Sequence, residues 1–204
     1  MTYLYTESVI FGTNFTNMRK TILTIIICCS ALGAYAQPRA AGLRIGVGGL
    51  EADYQHILID RSQFLEGALG LDFGYTSGVP GIKATATYNF IWARPAWTDK
   101  GTWALYAGPG ATLGYVNDEV HYKVMEEVVH FLDNGFMLGI CGQVGLEYTF
   151  WFPLQLSVDL RPAIAIHIND GYTDASGTRH GTRAGFYDNG LLGFCPTISV
   201  RYRF

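Results

Sequence analysis

The chain has 204 residues, and only 15% are charged, against roughly 25% in soluble domains, while glycine (25 residues) and aromatics (14%) are plentiful. That length holds one domain of ordinary size, and a formal net charge of −3 without any basic run excludes the footprint of a nucleic-acid binder. After residue 36 no apolar run approaches the roughly 20 residues a membrane-spanning helix needs, so a membrane protein of this composition would cross as strands, closed into a barrel that pairs every backbone edge.

The first element in chain order is a targeting segment. Met18-Arg19-Lys20 is a basic start, Ile22 to Leu32 a short apolar core, and Ala34-Tyr35-Ala36 a small-x-small cleavage site, so a signal peptide over 18–36, removed after Ala36, is expected. A spanning helix would need a longer core. Residues 1–17 carry Glu7 and no basic residue, unlike the start of a leader, and read as an extension ahead of a true start at Met18. Cys28 and Cys29 leave with the signal, and Ile26-Ile27-Cys28 lacks the small residues of a lipid-attachment box at Cys29. The remaining domain, 37–204, keeps 12 basic and 16 acidic residues.

Beyond it, period-two alternation marks strands with one apolar face. Five are predicted in the first half: near 41–48 (Leu43, Ile45 and Val47 outward), 50–58 (Leu50, Tyr54, His56), 63–75 (Leu65, Leu69, Leu71, Phe73), 79–92 (Ile82, Tyr88, Phe90, Trp92) and 102–116 (Trp103, Leu105, Leu113, Tyr115). Three stronger ones follow. From Phe136 to Phe150 the even positions are apolar or aromatic, while Gln143, Glu147 and Thr149 lie on the other face. After a turn at Trp151-Phe152-Pro153, Leu154 to Ile168 alternate with Gln155, Ser157, Asp159, Arg161 and His167. The last strand, Leu192 to Phe204, alternates with Cys195, Ser199, Arg201 and Arg203. Eight strands make an antiparallel up-and-down transmembrane β-barrel of the smallest common size.

The links after the second and sixth strands are short, those after the fifth (117–134) and seventh (169–189) long, and alternating strand direction places the two sets at opposite ends. Short periplasmic turns and long external loops have this asymmetry. Pro109, Pro162 and Pro196 fall inside predicted strands, where a missing N–H breaks the ladder, so bulges or early strand ends are expected there. Cys141 and Cys195 occupy inward positions on strands that are not neighbours, too far apart for a disulfide.

At Gly42-Leu43-Arg44-Ile45-Gly46, Leu65-Glu66-Gly67-Ala68-Leu69-Gly70, Tyr106-Ala107-Gly108-Pro109-Gly110-Ala111, Val144-Gly145-Leu146-Glu147-Tyr148, Leu156-Ser157-Val158-Asp159-Leu160-Arg161-Pro162 and Ser199-Val200-Arg201-Tyr202-Arg203-Phe204, the chain resembles the small outer-membrane β-barrel proteins related in architecture to OmpX and the OmpA membrane domain. The resemblance covers Gly42 to Phe204. It implies a place in the cell outer membrane among lipid and lipopolysaccharide, and recognition of the terminal Phe204 by the barrel-assembly machinery. It implies no reaction and no cofactor.

The inward set comprises Arg44, Glu51, Asp53, Glu66, Asp72, Lys83, Glu147, Asp159, Arg161, Arg201 and Arg203. Paired carboxylates can do acid–base work, but an eight-stranded barrel is only wide enough for its side chains to fill and buried charges there must pair. A salt-bridged plug is the expectation, and an open pore is not. In 117–134, a hairpin turning at Met125-Glu126 sets His121 opposite His130, a spacing suited to a metal, while Val120, Tyr122, Val128 and Phe131 suit edge-on binding of an extracellular partner. Otherwise the segment is a solvated loop. The loop 169–189 reads as mobile and external. Two other classes remain: a lipid-modifying enzyme, for which Ser176 and His180 are nominal but unenforced triad members, and a soluble periplasmic lipocalin-like barrel, which needs the inverse polarity. A non-enzymatic barrel with a structural or surface-recognition role through its loops fits best.

Overall fold

The computed structural model describes residues 39–58, 61–73, 80–124, 127–169, 171–173 and 179–204, so the expected leader and the start of the chain lie outside the described residues. The strands are β1 (Arg39–Gly46), β2 (Gly49–Ile57), β3 (Gln63–Asp72), β4 (Gly81–Ala93), β5 (Thr102–Val124), β6 (Glu127–Thr149), β7 (Leu154–Leu160), β8 (Ala163–Asn169), the short β9 (Tyr172–Thr173) and β10 (Arg179–His180), β11 (Ala184–Asp188) and β12 (Thr197–Arg203). A 3-10 turn, Gly190–Phe194, separates the last two. β7 and β8 are halves of one wall strand and β11 and β12 halves of the next, giving a closed antiparallel barrel of eight wall strands. β1 pairs with both β2 and β12. The seam finishes where the Arg39 amide donates to the Phe204 carbonyl (3.1 Å) and the Phe204 amide donates to that of Arg39 (2.9 Å).

Alternation decides the two faces. Leu43, Leu69, Ile82, Ile140 and Ile166 stand outward at 59–63% exposure, whereas their inward neighbours Arg44, Asp53, Glu66, Asp159 and Arg201 are 4% exposed or less. At one end lie the β1–β2 turn, the β5–β6 turn and the β8–β11 link. The ends of β3 and β4 at Asp72 and Gly81 lie there too, and the other end holds the β2–β3, β4–β5 and β6–β7 turns together with Arg39 and Phe204. At this terminal end the aromatics interlock, with Trp103 4.6 Å from Tyr148 and 5.4 Å from Trp97, Phe150 4.9 Å from Phe152, and Lys100 Nζ 5.6 Å above the Trp151 ring.

Three expectations need correction. First, 117–134 is not a loop, because β5 and β6 run on as a hairpin with only residues 125–126 between them. Second, the link 169–189 contains wall. β11 pairs with β8 from Ala184↔Ile168 to Asp188↔Ile164, with Phe186 outward and Tyr187 buried. Third, the last strand does not begin at Leu192. Five steps along β8–β7, from Ile164 to Asp159, face nine along the eighth wall strand, from Asp188 to Thr197, and the surplus coils into the 3-10 turn.

The prolines explain that turn. Pro162 falls between β7 and β8, and Pro196 directly precedes β12, so both end strands as expected. Pro109 does not: β5 passes through it unbroken against β6, the β4 ladder runs to Thr87↔Gly110 and resumes at Phe90↔Ala107, and the register shift falls further on, at Ile91/Ala93. Around Pro162 the backbone bonds lost from the ladder are replaced one by one. The Arg161 amide donates to the Gly193 carbonyl (3.0 Å), and the Gly142 amide donates to the Pro162 carbonyl (2.9 Å). The Asn189 side chain accepts from the Ala163 amide (2.8 Å) and donates to the Arg161 carbonyl (2.9 Å). Asn189→Ala would leave two backbone groups unmet and is expected to cost about 2–4 kcal/mol. Ile166→Leu, outward on β8, should stay within about 0.5 kcal/mol. Urea unfolding of the refolded protein in micelles tests this, and equal midpoints for the two variants would show that Asn189 does not support the junction.

Candidate functional site

The lumen is the densest gathering of polar side chains in the barrel, and its centre is Glu66 on β3. Three guanidinium groups reach this carboxylate from three different parts of the wall. Arg161, at the β7–β8 junction, is 2.7 Å from Oε1; Arg201, on β12, is 3.1 Å from Oε2; Arg44, on β1, is 3.5 Å from Oε1. The same arginines spread to the neighbouring acids. Arg44 pairs with Asp159 and lies 3.4 Å from Glu51, Arg161 is 3.0 Å from Glu51, and Arg201 is 2.6 Å from Asp53. Arg201 also donates to the Ser157 hydroxyl at 2.8 Å. Nearer the loop end, Lys83 pairs with Asp72.

A layer of amides lies beneath the charges. Gln143 donates to Glu66 (3.1 Å), while its carbonyl accepts from Thr87 (2.6 Å) and Asn89 (3.0 Å). Glu147 is held by the amides of Gln55 (2.9 Å) and Gln155. Across the middle of the barrel, Arg201, Tyr106, Glu66, Gln55, Gln155 and Asn89 are each 2% exposed or less, which leaves no opening through the lumen at that level. The predicted plug is therefore present, and ten of its eleven expected charged members share this arrangement of paired or hydrogen-bonded interior groups. The eleventh, Arg203, stands in the terminal-end mouth. The glutamine layer was legible as inward positions, but alternation carries no information about which inward groups meet.

At the loop end Val116, Met137, Ala165 and Tyr187, one each from β5, β6, β8 and β11, form a buried apolar cluster above the charges. Beside it a cavity of about 60 Å³ is lined by Asp72, Lys83, Thr85, Cys141 and Cys195 among others. Both cysteines are free, as expected, but Cys195 is half-buried at the end of the 3-10 turn instead of lying on a strand. At the terminal end the lumen widens into a mouth of about 690 Å³.

The remaining candidates are not assembled into chemistry. His121 does pair with His130 in register, as the hairpin reading requires, and the hairpin leans far enough for His121 also to pair with Phe186 of β11. Among the described residues no group of three or more His, Cys, Asp or Glu is placed to hold a metal ion. Ser176 lies outside the described residues, and His180 pairs with Tyr172 in a two-residue ladder. Ser157 and His167 are both buried, and the Ser157 hydroxyl accepts from Arg201.

Removing the shared carboxylate leaves three desolvated guanidiniums competing for the remaining acids. Glu66→Ala is expected to destabilise the barrel by about 3–5 kcal/mol, whereas Asp99→Ala, at an exposed turn, should change it by under about 0.5 kcal/mol. Denaturant midpoints in micelles measure both, and a Glu66 variant as stable as the Asp99 variant would remove the network as a structural element.

No family profile matches the chain, and no curated protein matches it. Among solved structures it is similar to the crystal structure of a major outer membrane protein from Thermus thermophilus, at 14% identity and a TM-score of 0.44, over 83% of this chain and 100% of that one.

Proposed function

We propose that this chain is a non-enzymatic transmembrane barrel of a bacterial outer membrane, with a filled, non-conducting lumen and a surface-recognition role at its loop end. The observation that carries the reading is inverted polarity: the wall is apolar outside and charged inside. A soluble lipocalin-like barrel has the opposite arrangement, and an aqueous exterior would leave an apolar surface far larger than soluble monomers carry. The dimensions agree. β3, with 10 residues, is about 33 Å long, which at a tilt near 40° spans about 25 Å, the height of the apolar band in such barrels. The aromatic cluster at the terminal end suits one interface of that band.

A geometric observation supports recognition at the hairpin. β6 keeps its β8 partner only to Gly135, and β5 keeps its β4 partner only to Tyr115 with one further pairing to β11 at His121↔Phe186, yet the two strands continue together to Val124 and Glu127. Backbone edges beyond the wall are templates for an added strand. Phe204 remains the proposed signal to the assembly machinery, and its position at the barrel seam leaves its ring exposed.

The expected behaviour is recovery with outer-membrane fractions after signal cleavage, a heat-dependent shift in gel migration, and no steady conductance in planar bilayers. Recovery in the soluble periplasm would overturn the location, and a large steady channel would overturn the filled lumen.

A further inference from the structure

The terminal-end mouth differs from the rest of the lumen in one respect. Deep in the barrel each arginine is neutralised: Arg44, Arg161 and Arg201 all touch two or more carboxylates. The mouth is lined by three more, Arg61, Arg94 and Arg203, and, among the described residues, by one acid, Glu147. Among the described residues none of these three arginines makes an ion pair within 4.0 Å. Glu147 accepts from Gln55 and Gln155 at the floor, and as one carboxylate it offsets at most one of the three cations. The surrounding wall is held in place. Arg61 is in the left-handed region (φ 53°), its amide donates to the Leu58 carbonyl at 2.9 Å, and its own carbonyl accepts the Arg94 guanidinium at 2.5 Å. That bond fixes Arg94 at the rim while leaving most of its five N–H donors unused. Ile57, Ile91 and Trp92 supply an apolar side, and Thr102 and Thr149 supply hydroxyls.

A concave site of about 690 Å³ falls in the size range of small-ligand pockets, about 300–1,000 Å³. Guanidinium forks match planar or tetrahedral oxyanions in geometry as well as charge. We infer that the terminal-end mouth is an oxyanion-binding site, formed by Arg61, Arg94 and Arg203, that takes the phosphate group of a ligand whose apolar part rests on Ile57, Ile91 and Trp92. Phosphate of this kind can come from a lipid headgroup or from a soluble phosphate compound, and the chemistry of the site is the same for both. The inference does not rest on the recognition role of the hairpin, which lies at the other end of the barrel.

Arginine Nε–Hε NMR of the intact refolded barrel in dodecylmaltoside micelles, which carry no phosphate, tests it directly. Inorganic phosphate is titrated at constant ionic strength in one arm, and phosphatidylglycerol is doped into the micelles in the other. The expected result is saturable shifts at Arg61, Arg94 and Arg203 with Arg44, Arg161 and Arg201 unmoved. Arg94→Gln, at an exposed link where folding is not at stake, should weaken that response about tenfold through loss of a charge-assisted hydrogen bond. Saturation in the first arm identifies a soluble source, and saturation only in the second identifies the lipid. The inference is overturned if neither arm saturates, if the six arginines shift alike, or if Arg94→Gln responds as the parent does.

Discussion

Three guanidinium groups converge on one buried carboxylate, Glu66, and the rest of the barrel is arranged around that convergence. The arginines come from β1, the β7–β8 junction and β12, whereas Glu66 comes from β3 and its neighbours Glu51 and Asp53 from β2. Apart from Arg44–Glu51, which joins register partners on β1 and β2, the pairs therefore tie strands that share no backbone hydrogen bond. Desolvating charges in so narrow a space is costly, and the cost is offset only where geometry and extra hydrogen bonds satisfy each group. Gln143, Thr87 and Asn89 supply those bonds around Glu66, and Gln55 and Gln155 do so around Glu147.

The irregular eighth wall strand follows from the same need. Arg161 must reach Glu51 and Glu66 from a position next to Pro162, where the ladder cannot supply a full set of partners. The 3-10 turn and Asn189 provide the missing bonds from the opposite strand, so the chain keeps both a proline in the wall and an arginine at the centre of the network. The turn also brings Leu192 and Cys195 to the small loop-end cavity, filling space that a regular strand would leave open.

The two ends of the barrel have different chemistry as a result. The loop end is capped by the apolar cluster of Val116, Met137, Ala165 and Tyr187 and carries a long paired hairpin. The terminal end is open, aromatic outside and rich in arginine within. A filled middle separates them, so binding at either end is independent of passage through the lumen. This favours the proposed role as a surface barrel over a conduit.

Strand number, closure, the outward and inward faces and the membership of the charged interior were legible in the sequence, because a strand's side chains alternate with a period of two whatever it pairs with. Leu138, Ile140 and Val144 could be assigned outward, and Gln143 and Glu147 inward, without knowing a neighbour. What alternation could not supply was register around irregularities. Phe194 and Leu192 have the parity of the strand that follows, yet they sit in a 3-10 turn, since the surplus of residues opposite Ile164–Asp159 is set by pairing on the far side. For the same reason Tyr187 and the wall strand around it were hidden in an apparent loop. Which carboxylate each arginine reaches, and which arginines reach none, depends on strands brought together from distant parts of the chain. The sequence by itself determined an inside-out barrel with a charged lumen; only the tertiary structure decided that Glu66 is its hub and that Arg61, Arg94 and Arg203 are left facing the mouth, because closure, not local pattern, fixes what lies across the lumen.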